Sequence, residues 1–275
     1  MPSTQLQKAE RFRALHQGPG AFVMPNPWDG GSACLLAGLG FQALATSSGA
    51  AAGTLGRRDG AISRDEALAA ARVIVEATDL PVAADLENGF GDAPEDAAET
   101  IRRAAAVGLV GGSIEDATGR ADRPLYDFEH AVERVAAAAE AAHGLGFPFT
   151  LTARAENYLR GHPDLDDTIR RLQAFEHAGA DVLFAPALPD LAAVRAVCAA
   201  VGRPVNFMVA IRGRSFSVAE LQAAGVRRIS LATSLYRAAM TGLLDAAREV
   251  AEHGSFGYLD QGLLTTPELN AFLRP

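Results

Sequence analysis

A single (β/α)8 barrel is the fold this sequence predicts, on three observations. Short apolar segments alternate with helical ones along nearly the whole chain. Several of the apolar segments run out into ionisable residues, which is how such a barrel furnishes its active face. The chain has 275 residues, close to the roughly 250 that one barrel occupies, so 1–275 reads as one domain with a C-terminal extension at 253–275.

The first strand, 21–26, ends in Asn26-Pro27-Trp28-Asp29 and precedes helix 31–37. The second, 43–48, ends in Thr46-Ser47-Ser48-Gly49 and a glycine-rich stretch from Gly53 to Gly60; its helix, 64–77, starts at Ser63 with Glu66 three residues on, a capping box. The third, 81–87, carries Asp85 and Glu87 before Gly89, and its helix, 94–107, begins on Pro94, where a missing N–H costs nothing. The fourth, 112–116, ends in Glu115-Asp116 and leads to helix 128–142; the fifth, 149–156, ends in Arg154 and Glu156 and leads to helix 165–178. Strands 181–186, 204–209 and 228–233 precede helices 191–200, 218–223 and 234–251. Gly108, Gly179 and Gly225 mark helix ends. Strands separated by helices pair in parallel, and eight such units close on themselves. A last helix, 267–273, has no strand of its own and is expected to pack on a neighbouring subunit.

Acids outnumber bases by 33 to 25, a net charge of −8 without a basic patch. This argues against nucleic acid and anionic membrane as partners. The segment 1–13 is polar and amphipathic, and no apolar run reaches the length of about 18 residues that a membrane span needs; a soluble cytoplasmic protein is expected. Cys34 and Cys198 lie in apolar helical contexts and read as reduced core residues. His16, His130, His143, His162, His177 and His253 lack metal-ligand spacing and read as structural or surface groups.

Residues two apart on a strand point the same way, so Asp85 and Glu87 aim two carboxylates at one point, a place for a divalent cation or, failing that, for surface ion pairs. Glu115 and Asp116 either join them or cap the next helix. Ser47, Ser48 and Gly49 form either a cradle for a carboxylate or phosphate or a plain turn. Arg154 follows Leu151-Thr152-Ala153, where burying it is costly unless acids or an anionic substrate pair with it. Glu156 is the nearest such partner in sequence.

Together these runs, from Asn26-Pro27-Trp28-Asp29 through Ser47-Ser48-Gly49, Gly53-Thr54-Leu55-Gly56, Asp59, Asp85-Leu86-Glu87-Asn88-Gly89-Phe90-Gly91, Ile114-Glu115-Asp116 and Ala153-Arg154-Ala155-Glu156, resemble the isocitrate lyase/phosphoenolpyruvate mutase superfamily. Pro204-Val205-Asn206 and Gly225-Val226-Arg227-Arg228-Ile229-Ser230 look like its phosphonomutase-like and methylisocitrate lyase-like members. The resemblance implies a Mg2+-dependent barrel, with Mn2+ as the alternative, acting on small 2-oxo or 2-hydroxy carboxylates. It implies a homotetramer, a dimer of dimers, whose last helix is exchanged between subunits. Carried over, Asp85 is the direct metal contact, and Asp59, Glu87 and Glu115 hold the metal through water. Ser47, Ser48 and Gly49 bind the substrate carboxylate, Arg154 lies beside the reacting oxygens, and Trp28 and Asn206 join the substrate-binding set. Mg2+ prefers oxygen ligands and keeps several waters, in agreement with this set.

Two departures stand out. Glu87 occupies a position where many members have aspartate. Where lyases of this family carry a Lys-x-Cys-Gly-His loop, this chain reads Ala117-Thr118-Gly119-Arg120-Ala121-Asp122-Arg123-Pro124-Leu125, and Phe184-Ala185-Pro186-Ala187 lacks the histidine of the mutases. A proton donor or acceptor is then sought in Glu156, Tyr158, Asp122 or a metal-bound water. The expected activity is carbon–carbon cleavage of small 2-oxo or 2-hydroxy di- or tricarboxylates, by retro-aldol cleavage or oxaloacetate-type decarboxylation through an enolate, and weak towards isocitrate. The alternatives are phosphonate mutase or hydrolase chemistry and a weakly catalytic 2-oxo acid binder.

Overall fold

A computed structural model describes residues 3–273 of the chain. Its centre is an eight-stranded parallel sheet in the order β1-β8-β7-β6-β5-β4-β3-β2. The strands are β1 (Phe22–Met24), β2 (Leu44–Ala45), β3 (Val82–Asp85), β4 (Gly111–Glu115), β5 (Thr150–Arg154), β6 (Val182–Phe184), β7 (Val205–Met208) and β8 (Arg228–Ser230). Between and around them run α1 (Gln5–Gln17), α2 (Gly30–Gly38), α3 (Ser48–Thr54), α4 (Arg64–Ala77), α5 (Pro94–Ala106), α6 (Phe128–His143), α7 (Leu165–His177), α8 (Leu191–Ala200), α9 (Val218–Ala223), α10 (Ser234–His253) and α11 (Thr266–Asn270). This is the (β/α)8 arrangement the alternation predicts.

The ladders are shorter than the apolar runs. Glu87, Asp116 and Glu156 all lie past the last paired residue of their strands. Asp85 is the last rung of β3, and two residues on the chain turns through Glu87 at φ 49. The glycine-rich stretch after β2 also differs: residues 48–54 are helix α3, because Ser47 caps the turn and Ala50-Ala51-Ala52 favour helix strongly. At the other end α11 stops at Asn270 with no residue buried, and Phe272 beyond it lies against Gly38 of α2.

An element the sequence reading left as a polar segment, α1, closes the N-terminal face. Thr4 and Gln7 make its capping box, and Ala9, Phe12 and His16 form its buried stripe. Phe12 enters the barrel floor beside Gly111, where a Cβ would come within 2.9 Å of its ring and of the Thr150 carbonyl. Gly111 is therefore fixed by space. By contrast no residue of α10 is buried. Its first turn meets the barrel through Tyr236, edge-on to Trp28 at 5.4 Å, while Leu243, Leu244 and Val250 lie exposed.

Between β1 and β2 closure falls to a few bonds. Ala45 N–H donates to Pro25 O at 3.1 Å. Buried Asn26 does the rest: its Nδ2 donates to Thr46 O at 2.8 Å, and its Oδ1 accepts from Leu231 N–H at 2.9 Å. One amide thus stitches β1 to β2 and to the end of β8. Asn26→Ala leaves one donor and one acceptor without partners, a loss of about 2–4 kcal/mol. Urea denaturation of the variant checks this, and an unchanged midpoint would show that the seam closes without the amide.

Candidate active site

The barrel interior is set by alternation. Asp85, Ser113, Thr152, Arg154, Phe184, Asn206, Met208, Arg228 and Ser230 face a cavity of about 290 Å3 that opens at the C-terminal ends of the strands into a wider basin of about 1230 Å3. Glu115 and Arg154 are register partners on adjacent strands, so one guanidinium meets acids from each side.

Arg154 is the centre. Its Nη1 donates to Asp85 Oδ1 at 2.9 Å, its Nη2 lies 3.1 Å from Glu115 Oε2 and 2.8 Å from Glu156 Oε1, and its Nε donates to Glu156 Oε1 at 3.0 Å. The ring of Phe184 lies 5.1 Å from the guanidinium carbon. Burial works against the charge of Arg154, but the three carboxylates hold it firmly protonated. Burial would likewise raise Asp85; Arg154 and the N–H groups of Ser48 and Glu87 outweigh that and keep it below the ordinary value.

The other acids go the opposite way. Burial, then the charges of Asp85 and Asp59, push Glu87 up to about 7. Burial also raises Glu115, whose neighbours Glu156 and Asp85 offset the pull of Arg154 and Arg160. Glu87 Oε1 is buried without a partner. The carboxylates of Asp59, Asp85, Glu87, Glu115 and Glu156 thus face two guanidiniums, Arg154 and Arg160, and the surplus negative charge and the orphaned oxygen fit a divalent cation with oxygen ligands. Among the described residues no three acid, histidine or cysteine side chains converge closely enough to ligate an ion directly.

Asp85, Arg154, Ser47, Ser48 and Asn206 line the cavity, Asp59 borders both cavity and basin, and Glu87 and Glu115 line the basin. Ser48 N–H donates to Asp85 Oδ2 at 3.3 Å and Ala50 N–H to Ser47 Oγ at 3.4 Å, long bonds that an incoming carboxylate can displace. Gly49 lies just behind, where a Cβ would meet Thr233 at 2.9 Å and Asp59 at 3.3 Å. Asn206 donates to Ser230 Oγ and accepts from Arg228 Nε, which leaves one amide N–H unused.

Besides Gly49, four expected residues stand apart from both linings. Glu156, 0% exposed, sits behind Arg154 with its own N–H on Asp116 Oδ1, so it orients the guanidinium rather than meeting substrate. Tyr158 turns towards the acids Asp164, Asp190 and Asp166, which together with burial raise its hydroxyl above the ordinary value. Asp122 is exposed on the 117–125 loop, which is pinned by the Ala117–Leu125 bridge and by Arg120 on Asp92 at 2.8 Å. Trp28 stacks on Tyr236. The loops that follow the strands set these directions, and strand periodicity does not reach them.

The sequence reading missed three residues. Arg160 bridges Glu115 at 2.9 Å and Glu156 at 3.3 Å; its spacing of four from Glu156 was the available signal. Thr46 Oγ1 accepts from Asp85 N–H at 3.0 Å. Arg228, on the floor, stood in the run 225–230 that carries the resemblance, but nothing in the sequence marked it as a buried charge.

A family model described as phosphoenolpyruvate phosphomutase matches residues 12–251. The chain is similar to 2-methylisocitrate lyase of Escherichia coli K12, with 32% identity over 72% of this chain and 69% of that protein. It is similar to oxaloacetate decarboxylase of Bradyrhizobium diazoefficiens, with 31% identity over 72% of this chain and 69% of that protein. It also resembles a crystal structure of a candidate lyase/mutase from Burkholderia cenocepacia J2315, with 54% identity, a TM-score of 0.95, and coverage of 98% of this chain and 96% of that one.

A carboxyl whose folded pKa lies above its unfolded one contributes stability that is complete below about pH 4.5 and lost as pH rises through about 7. In chelator, Glu87→Gln is therefore expected to gain thermal stability relative to wild type as pH rises from 5 to 8, and magnesium to narrow the gap. Melting curves across that range check it; parallel pH profiles for the two proteins would show that Glu87 carries no raised pKa.

Proposed function

Because the chain belongs to the phosphoenolpyruvate mutase/isocitrate lyase superfamily, whose relatives are lyases and mutases, we propose that it is a Mg2+-dependent carbon–carbon lyase of small 2-oxo or 2-hydroxy di- and tricarboxylates. The observation that carries this reading is the buried Arg154 held against Asp85 at the neck of a cavity edged by surplus acids. Asp59, Asp85, Glu87 and Glu115 would hold Mg2+, which would supply Lewis-acid charge to a bound 2-oxo or 2-hydroxy carboxylate.

The protein's own groups do the following. Ser47 and Ser48 receive the carboxylate next to the oxo group. Arg154, unable to swing away from its three carboxylates, presents fixed positive charge where the oxo oxygen gains electrons. Glu156 and Arg160 keep that charge in place. Among the described lining residues there is no cysteine, histidine, lysine or tyrosine. This favours cleavages that need no enzyme base to begin. In decarboxylation the bond to the departing carboxylate breaks, CO2 leaves, and the electron pair collects as an enolate that then takes a proton from water. Retro-aldol cleavage must first remove a hydroxyl proton, a step for which the lining offers only carboxylates such as Glu87; losing a positioned general base costs on the order of a hundred- to ten-thousandfold. The exposed apolar residues of α10 are assigned to a second copy of this chain, within the expected tetramer. Sedimentation equilibrium tests that assignment, and a monomer at micromolar concentration would refute it.

Assay of oxaloacetate, isocitrate, methylisocitrate, dimethylmalate and phosphonopyruvate for released pyruvate, succinate or phosphate is expected to show magnesium-dependent decarboxylation, slow isocitrate cleavage and no phosphate. Asp85→Ala is expected to abolish turnover and to cost Mg2+ affinity in calorimetry while leaving the circular dichroism spectrum intact. Unchanged affinity would sink the metal assignment. Iodoacetamide is expected to leave activity unaltered, since Cys198 is half-buried with its thiol pushed up to about 11 by burial and Cys34 bonds Ala77 O. Substrate-protected inactivation would contradict this.

A further inference from the structure

Three arginines line the same cavity, and they are not alike; Arg237 of α10 is exposed and reaches Ala210 O, so it is not a buried charge. Arg154 at the neck is surrounded by carboxylates. Arg228, the first residue of β8, lines the floor and is 4% exposed. Its Nε donates to Asn206 Oδ1 at 2.9 Å, its Nη2 to Thr152 Oγ1 at 3.0 Å, and its Nη1 to His16 Nε2 at 3.3 Å. His16 Nδ1 faces Phe12 O at 2.8 Å, so the ring carries its proton there and offers Nε2 as an acceptor. His16 is thus neutral, and burial with the charge of Arg228 beside it lowers its pKa to about 3.

Every recorded partner of Arg228 is neutral. A guanidinium has five N–H groups, and these bonds use three. Burial alone lowers its pKa to about 9, and no carboxylate among the described residues opposes that. A buried charge without a counter-charge is costly, and a fold keeps one where an anion comes to meet it. Space exists for that anion, because Ala45, Ala83, Gly112 and Ser113 line the cavity with small side chains on the other strands. Thr152, which accepts from Arg228, stands two residues before Arg154 on β5. Arg154 and Arg228 thus approach the same cavity from β5 and β8, across the intervening rung of Phe184 and Asn206.

We propose that Arg228, with Asn206 and Thr152, forms a carboxylate subsite on the cavity floor, and that the enzyme takes 2-oxo acids bearing a further carboxylate that stays on the substrate through the reaction. The inference rests on the lyase reading and sharpens its substrate class. A carboxylate in contact with a guanidinium is stabilised in its charged form, which opposes its loss as neutral CO2, so the group that Arg228 holds is a spectator and the bond that breaks lies nearer Arg154. This points to 2-oxo tricarboxylates as substrates, in which one carboxylate stays on Arg228 while another, β to the oxo group, leaves as CO2; longer 2-oxo diacids lack that leaving group and serve as ligands.

Calorimetry in magnesium buffer with 2-oxoglutarate and 2-oxopentanoate tests this, since the two differ in the far carboxylate alone. Wild-type protein is expected to favour 2-oxoglutarate by at least about tenfold, the worth of one charge-assisted hydrogen bond. Arg228→Met is expected to reduce the preference to within about twofold, mainly by weakening 2-oxoglutarate. Because Arg228 also ties α1 to β5 and β7, Arg228→Lys serves as a second variant, expected to fold and to keep part of the preference. Equal binding of the two acids by wild type overturns the subsite alone, as does a full preference surviving in Arg228→Met. Binding of neither acid overturns the lyase reading and the subsite with it.

Discussion

The site depends on one buried guanidinium. Arg154 ends β5 inside the barrel and draws Asp85 from β3, Glu115 from β4 and Glu156 from beyond β5 onto its three nitrogens. Removing charges from water is expensive, and such a cluster persists only when nearly every donor and acceptor is matched. Deleting one member of a buried pair leaves the rest uncompensated, at a typical cost of about 3–5 kcal/mol. The adjoining loops must therefore return to the same place in every molecule. Asp116, pushed up to about 6 by burial, extends the lattice by accepting from Glu156 N–H and from Arg171 Nη1.

Around that fixed charge the mouth is left short of cations. The loop after β3 is shaped by left-handed residues at Glu87, Gly89 and Phe90 and clamped from behind by Arg134, which donates to the carbonyls of Asn88, Asp92 and Ala93. Tyr126 hydroxyl bonds Asp92 on the same loop. A loop held this firmly keeps Glu87 close to Asp85 and Asp59 despite their repulsion. That electrostatic cost is what a cation bound there would relieve.

At the opposite end the barrel is closed by α1. Phe12 fills the space that Gly111 leaves, and His16 reaches Arg228 from below. Small residues on β2 to β4 and long ones on β7 and β8 make the interior lopsided, so the cavity runs deep along one side. Depth is a property of this taper, and it places a second positive charge within reach of a ligand that enters at Arg154.

Alternation of apolar strands and helices specified the barrel, because period-two and period-3.6 patterns and helix caps are local properties of a chain. That Asp85, Glu87, Glu115 and Arg154 gather at one mouth was legible because strand ends in a parallel barrel share one face, whatever the loops do. The amphipathic spacing of Ala9, Phe12 and His16 held the information for α1, yet what that stripe covers lies in β1, β3 and β4. The roles of Glu156, Tyr158, Asp122 and Trp28 were not legible in this way. Each sits one or more residues beyond a ladder or in a loop, where direction is set by contacts distant in sequence, such as Asp116 behind Glu156 and Tyr236 against Trp28. Arg228 is the clearest case. In the sequence it is one arginine opening an apolar strand, and only the closed barrel, by setting neutral Asn206, Thr152 and His16 around it and no acid, makes it a buried charge without a counter-ion.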